Sequence, residues 1–111
     1  MGVDIGAASW PYGGFHRFRT ELASLEQIDL QDMRGYRPGG RSWDEVDTAL
    51  RPLLDHSDCD GELAPAECEA MIPRFAELVD ALSDAYDREH AAALLEEFRW
   101  SVATGQHLQF R

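Results

Sequence analysis

The chain has 111 residues, of which 44% are hydrophobic, and a formal net charge of −11 from 21 acidic and 10 basic residues. This length and composition are typical of a folded domain with its own core and argue against wholesale disorder. We therefore expect one domain over residues 1–111. The excess of negative charge argues against direct nucleic-acid binding, because an acidic surface repels a phosphate backbone.

The acidic residues are concentrated in one part of the chain. Residues 1–43 hold five acids and five Arg, whereas residues 44–98 hold 16 acids and three Arg. Such a surface favours a cation or a basic protein partner, and it also predicts a solvated face that keeps the protein soluble. No stretch is long and apolar enough to span a bilayer, and the start shows no signal-peptide pattern. We expect a cytoplasmic protein without membrane contact, whose two cysteines are reduced.

The first half of the chain predicts two helices. Residues 1–9 indicate an arm or an edge strand, and a turn with Pro and paired Gly follows. The first helix, which runs to about Glu26, has an apolar face of Phe15, Phe18, Leu22 and Leu25. A loop over residues 27–41 comes next. Ser42 and Glu45 form a capping-box pattern that predicts a second helix, interrupted at Pro52, with an apolar face of Trp43, Val46, Leu50, Leu53 and Leu54.

The second half predicts two further helices. One begins at Pro65, which suits a first helical position, and the other runs from about Ala85 to Ala103 and stops at Gly105. The tail HLQFR alternates polar and apolar residues, so we expect it to pair with the N-terminal arm as a short strand. The predicted fold class is therefore mainly α: a compact bundle of about four helices with a two-stranded pairing of the termini.

The segment HSDCDGELAPAE at residues 56–67 resembles the calcium-binding loop of an EF-hand and stands between two predicted helices. That loop has oxygen ligands at its first, third and fifth positions, Gly at the sixth and a bidentate Glu at the twelfth. Gly61 fits the sixth position, and Leu63 the apolar eighth. The candidate ligands of a calcium or magnesium ion are then His56, Asp58, Asp60, Glu62 (through its backbone carbonyl) and Glu67.

Three features of the sequence weaken the calcium interpretation. His56 offers a nitrogen where calcium prefers a carboxylate, and no other segment repeats the loop pattern although EF-hands normally work in pairs. In addition, Pro52 lies inside the incoming helix. Calcium or magnesium binding by the 56–67 loop is therefore an alternative, and an ion-free loop is the leading interpretation.

An ion-free loop also has a specific structural basis. Asp58 and Asp60 can accept hydrogen bonds from nearby backbone N–H groups as Asx-turns, and Gly61 can take a positive φ. Glu67 falls in the first turn of the third helix, where a carboxylate interacts favourably with the helix dipole. The loop can therefore keep its shape as a scaffold without a cation.

A transition-metal site is a third interpretation of the same segment. His56 and Cys59 have His-x-x-Cys spacing, and Cys68 follows nine residues after Cys59. Zinc would need a further ligand from the histidines elsewhere in the chain, which are His16, His90 and His107. Cys59 is out of phase with the third and fifth loop positions, so the zinc and calcium geometries exclude each other.

Enzyme signatures are lacking in the sequence, and we expect no catalysis: it contains no Gly-rich phosphate loop, no G-x-S-x-G and no H-E-x-x-H. The segment WPYGGFHRFR mixes aromatic residues with Arg, a composition that is enriched at binding hot spots. Its candidate partner-binding residues are Trp10, Tyr12, Arg17 and Arg19. The alternative is that the aromatic residues join the core and the Arg residues pair with acidic helices.

Four segments resemble a family of short actinobacterial proteins with no established activity: ASWPYGGFHRFR, LLDHSDCDGELAPAEC, IPRFAELVDAL and LQFR. The resemblance spans most of the chain and is most specific in the central segment. It implies an origin and a shared fold, and no activity, cofactor or partner. That family usually carries Ser or Thr before the Pro, so Ala64 departs from it and a helix N-cap is lost.

The sequence thus favours a small, acidic, non-enzymatic protein that binds a protein partner, with the EF-hand-like loop as scaffold. Divalent-cation binding through the 56–67 loop is the alternative hypothesis. A third hypothesis is an acidic inhibitor that mimics nucleic acid or fills a basic cleft, and it is based on the charge of residues 44–98.

Overall fold

The computed structural model describes residues 2–111, and Met1 lies outside the described residues. Its α-helices are α1 (Gly14–Leu25), α2 (Arg51–Leu54), α3 (Pro65–Leu78) and α4 (Ala85–Thr104). Two antiparallel pairs of short strands accompany them: β1 (Val3–Ile5) with β2 (Ala8–Trp10), and β3 (Glu62–Leu63) with β4 (Leu108–Gln109). Single 3₁₀ turns lie at Leu30–Asp32, Trp43–Glu45 and Val79–Ala81. The described chain is therefore mainly helical, as its apolar pattern predicted.

The N-terminal arm folds back on itself as a hairpin. β1 and β2 pair with Val3 opposite Trp10 and Ile5 opposite Ala8, and all four of these side chains are buried. Gly6 takes φ +59 in the connecting turn, a left-handed conformation that glycine adopts without steric cost. The hairpin thus delivers an apolar face to the core, which the sequence had indicated only as an arm or edge strand.

Helix α1 agrees with its predicted bounds and face. Phe15, Phe18 and Leu22 are buried at helical spacing, and Gln27 ends the helix region with φ +64. Just beyond the helix, the Glu26 carboxylate accepts a 3.0 Å hydrogen bond from Thr48 and lies 2.7 Å from the Arg74 guanidinium on α3. These two contacts join α1 to the middle of the chain and to α3.

The predicted second helix was wrong over most of its length. The capping box of Ser42 and Glu45 is present, but it starts only a single 3₁₀ turn, and Val46 is already extended. Pro52 disfavours a helix that continues through residues 48–52, because its ring in a helix interior would clash with the carbonyl of Thr48 four residues earlier. Instead, Thr48 Oγ1 accepts a hydrogen bond from the Leu50 N–H at 3.0 Å, and Pro52 lies in the first turn of the short α2.

Helices α3 and α4 pack against each other and form the most extensive contact between elements of the described chain. Phe75 on α3 and Phe98 on α4 are fully buried, with ring centroids 5.2 Å apart. The Asp84 side chain caps α4 by accepting from two backbone N–H groups, and Gly105 ends it with φ +71. The predicted start of α3 at Pro65 and both predicted bounds of α4 are confirmed to within one residue. Among the described residues, no helix is long and apolar enough to cross a membrane.

The C-terminal tail pairs mainly with the 56–67 loop, which corrects the predicted pairing with the N-terminal arm. In this register Leu63 lies opposite Leu108, and the Phe110 N–H donates to the Gly61 carbonyl at 2.9 Å. The arm is reached only at the last residue, where Asp4 and Arg111 exchange two backbone hydrogen bonds of 2.8 and 2.9 Å. The tail therefore lies between the loop and the N-terminal hairpin.

We predict that Phe110→Ala destabilises the protein by about 3 kcal/mol, because a buried aromatic ring is removed and leaves a cavity. The Phe110 ring is 4% exposed, packs edge-on to Phe15 and lies 4.0 Å from the His56 ring, centroid to centroid. The free energy of unfolding is measured by urea titration. Gln109→Ala, at an exposed neighbouring position, is the control and should change it by less than about 0.5 kcal/mol. Equal effects of the two changes would contradict the docking of the tail.

The two cysteines are free and differ in accessibility, since Cys59 is exposed and Cys68 is buried. Burial raises the pKa of the Cys68 thiol, which lowers the fraction of reactive thiolate. We predict that the thiol reagent DTNB titrates Cys59 in the native protein and Cys68 only after addition of denaturant. The Cys59→Ser variant should show no fast phase. A fast native phase in that variant would contradict the position of Cys68 in the core.

Candidate functional site

The 56–67 loop joins α2 to α3 and keeps several features of the EF-hand frame. Gly61 has the predicted positive φ, of +91, and Leu63 at the eighth position is fully buried. The helix that follows begins at Pro65, as predicted. The incoming helix α2, in contrast, has only four residues, Arg51–Leu54. The described chain thus has the sharp turn and the outgoing helix of an EF-hand but only one turn of the incoming helix.

The His56 side chain folds back into the loop that it opens. Its Nδ1 lies 2.9 Å from the Ser57 carbonyl oxygen, and its Nε2 lies 3.0 Å from the Glu62 carbonyl oxygen. The Glu62 carbonyl is the one that would serve as the seventh-position ligand in an EF-hand loop. A side chain at Gly61 would place its Cβ 3.1 Å from the His56 ring, so glycine suits this position sterically as well as conformationally. The His56 ring therefore lies inside the turn.

Among the described residues, the other candidate ligands do not form a common cluster. The Glu67 carboxylate accepts a 2.8 Å hydrogen bond from the Ala64 N–H; Ala64 has no side-chain oxygen, so only half of a capping box exists. The Glu62 carboxylate accepts from the Gln109 side chain at 2.7 Å, while Asp58 and Asp60 are exposed. Within residues 2–111, no three His, Cys, Asp or Glu side chains form a group that could hold a metal ion. Neither the proposed calcium ligands nor the zinc set of His56, Cys59 and Cys68 is therefore brought together as such a group.

The turn inside the loop is stabilised by a serine rather than by the two aspartates. Ser57 Oγ accepts from the Cys59 N–H at 3.4 Å, an interaction that replaces the predicted Asx-turns at Asp58 and Asp60. Both aspartates are left at the surface. The loop therefore presents two carboxylates to solvent.

Arg19 lies beneath the loop, which the sequence did not predict. Its Nη1 donates to the carbonyl oxygens of Leu53 at 3.2 Å and His56 at 2.7 Å, and the residue is only 2% exposed. Desolvation lowers the pKa of the Arg19 guanidinium, and the nearby Asp58 charge acts in the opposite direction. One sequence signal was available, since Arg19 follows Phe15 by four residues and so shares the apolar face of α1.

The aromatic and Arg residues predicted to bind a partner divide into two groups. Trp10 is 1% exposed, stacks on Phe18 at 4.5 Å and donates from Nε1 to Asp87 at 3.0 Å, so it belongs to the core. Arg19 is buried as described. Tyr12 is 86% exposed and Arg17 is exposed. Only Tyr12 and Arg17 of the predicted set are therefore accessible, because the hairpin turns Trp10 inward.

A groove of about 690 Å³ runs beside the exposed Tyr12 ring. We call it the Tyr12 groove; its lining is Gly2, Val3, Pro11, Tyr12, Gly13, Phe15, His16, Asp58 and Cys59. Arg17 lies at its rim, since its Nη1 is 3.9 Å from where a Gly13 Cβ would be. Burial raises the pKa of the Asp87 carboxyl, and the nearby Arg17 guanidinium opposes that rise. The groove thus combines an apolar wall, an exposed aromatic ring and charged residues.

No protein-family model matches this chain, and neither a curated protein nor a solved structure matches it. Function belongs to sites and not to a fold class, so the chemistry of these surfaces is what indicates it.

We predict that His56→Asp increases calcium affinity by at least about tenfold over the parent chain. The change supplies the missing first carboxylate and frees the Glu62 carbonyl from the imidazole. Isothermal titration calorimetry with calcium measures it. Asp55→Asn, next to the loop but outside its ligand positions, is the control for a general change in surface charge. Equal heats from the parent and the His56→Asp variant would show that the loop does not adopt ligand geometry even with the acidic residue in place.

Proposed function

We propose that this chain is a small, acidic, non-enzymatic protein-interaction module that binds a basic partner segment in the Tyr12 groove. The 56–67 loop is the scaffold that forms one wall of the groove through Asp58 and Cys59. The exposure of the Tyr12 ring, at 86%, is the observation that carries the proposal. Tyrosine is enriched at the centres of binding interfaces, where its ring supplies a large apolar area and its hydroxyl a hydrogen bond.

The shape of the groove supports an apolar anchor on the partner. Val3 and Phe15 are core residues whose edges line the groove, and Pro11 and Tyr12 form its outer wall. An apolar side chain inserted there would bury surface against rigid elements, since β1 and α1 hold these residues. Such pre-organisation reduces the entropy lost on binding.

The charge of the protein supports a basic partner. The chain carries a net charge of −11. A cleft next to the Tyr12 groove is lined by Glu21, Asp84 and Asp87, together with His16 and Arg17. A negative surface of this kind accelerates encounter with positively charged segments and repels acidic ones. Arg17 and Asp87 both line that cleft. We therefore expect Lys or Arg next to the apolar anchor of the partner.

Site-specific photo-crosslinking tests the proposal. A photoreactive phenylalanine replaces Tyr12 in one variant and Trp100 in another; Trp100 is an aromatic residue of α4 that is 41% exposed and lies outside the groove. We expect a discrete adduct from the Tyr12 position and none from Trp100. Mapping of the crosslinked peptide should then identify a segment with an apolar residue flanked by Lys or Arg.

Binding of that partner in purified form provides the quantitative check. Tyr12→Ala should weaken it by about tenfold or more, and Trp100→Ala should leave it unchanged. Raising the salt concentration should weaken the complex, because charge attraction is screened. Equal adducts from both positions, or an acidic crosslinked segment, would overturn the proposal.

A further inference from the structure

A second cleft shares His16 and Asp58 with the Tyr12 groove and has a volume of about 480 Å³. We call it the Arg19 pocket; its charged and aromatic lining residues include Arg19, Arg34, Tyr36, Asp55 and Asp58. A cleft of this size accommodates a small organic molecule. Its charged lining distinguishes it from the Tyr12 groove.

The Arg19 side chain in this pocket has unused hydrogen-bonding capacity. It is 2% exposed, its Nε has no partner among the described residues, and both of its hydrogen bonds use Nη1. None of the ion pairs within residues 2–111 includes it. A guanidinium has five N–H donors, and a buried cation without a carboxylate is costly. Nε is inaccessible from the pocket, so an anionic group on a ligand would pair with Nη2, which donates to no described residue.

The guanidinium is also held in one orientation. Its central carbon lies 4.4 Å from the centroid of the Phe15 ring and 5.5 Å from that of Tyr36. Tyr36 is itself fixed, because its hydroxyl donates to the Leu54 carbonyl at 2.8 Å. A planar donor group fixed by aromatic contacts and by two hydrogen bonds from Nη1 is pre-organised to bind a carboxylate through its Nη2 N–H groups, which donate to no described residue.

The remaining charges of the pocket are of both signs. Asp58 acts electrostatically on Arg19, and Arg34 acts on Asp55, which also lies 3.8 Å from Arg51. A purely anionic ligand would meet two carboxylates as well as the Arg19 and Arg34 guanidinium groups. A ligand that carries both a carboxylate and an ammonium group matches both signs and avoids that repulsion.

We propose that the Arg19 pocket binds a small zwitterion of the free amino-acid type, with its carboxylate on the Arg19 guanidinium and its ammonium facing Asp55 and Asp58. This inference goes beyond the proposed protein interaction, because it assigns a small-molecule ligand to a different cleft. It does not depend on the Tyr12 groove having a partner.

Amide NMR titration tests the inference on the full chain. The probes are individual L-amino acids, with acetate as a carboxylate without ammonium and ethylamine as an ammonium without carboxylate, each up to about 10 mM. We expect at least one amino acid to shift the amide signals of Gly35, Tyr36 and Ser57, and acetate and ethylamine to bind at least about tenfold more weakly. No shift with any amino acid, or equal binding of acetate, would overturn the inference.

Two exposed aspartates of the 56–67 loop provide matched variants that leave the core intact. Asp58 lines the pocket, where it would face the ligand ammonium, whereas Asp60 is exposed and does not line it. Asp58→Asn should weaken the best amino acid by about threefold or more, and Asp60→Asn should not. Arg19→Lys keeps the charge but loses the planar fork, so binding should fall at least tenfold in the folded variant. Unchanged binding in Asp58→Asn, or in a folded Arg19→Lys variant, would also overturn the inference.

Discussion

The guanidinium of Arg19 lies under the 56–67 loop and donates to the carbonyl oxygens of Leu53 and His56, which are at the C-terminal end of α2. Helix ends leave carbonyl groups without intrahelical partners, and a helix of four residues is not stable by itself. Arg19 thus provides α2 with the donor that it lacks and ties the loop to α1. The cost of burying this charge is offset only in part, by the two carbonyls and two aromatic faces.

A second set of contacts, made by the C-terminal tail, also holds the 56–67 loop. The tail adds β4 to β3, the Phe110 N–H donates to Gly61, and the Phe110 ring lies 4.0 Å from the His56 ring. EF-hand loops normally work in pairs, and here the tail lies beside the only such loop in the sequence. Arg19 and Phe110, rather than a second EF-hand loop, therefore position the 56–67 loop. The opening histidine belongs to this arrangement, since its ring contacts the tail and the Glu62 carbonyl.

The Tyr12 groove and the Arg19 pocket adjoin at His16 and Asp58, which line both of them. The Tyr12 groove has an apolar wall formed by core residues, whereas the Arg19 pocket has charges of both signs. Phe15 connects them, because its ring packs against the Arg19 guanidinium and its edge lines the groove. The buried cation, the loop and the exposed Tyr12 ring are consequently parts of one continuous region of the molecule.

Local signals in the sequence determined α1, α3 and α4, because apolar spacing, Pro65 and Gly105 act within a few residues. They also determined the positive φ of Gly61. The second helix could not be predicted from its capping box, because the box starts only a single 3₁₀ turn and Val46 is already extended. Tertiary contacts alone decided three features: the inward position of Trp10, the burial of Arg19 and the pairing of the tail with the loop. Each depends on partners tens of residues away, such as Asp87 for Trp10 and His56 for Arg19, and residue spacing carries no information about such distant contacts.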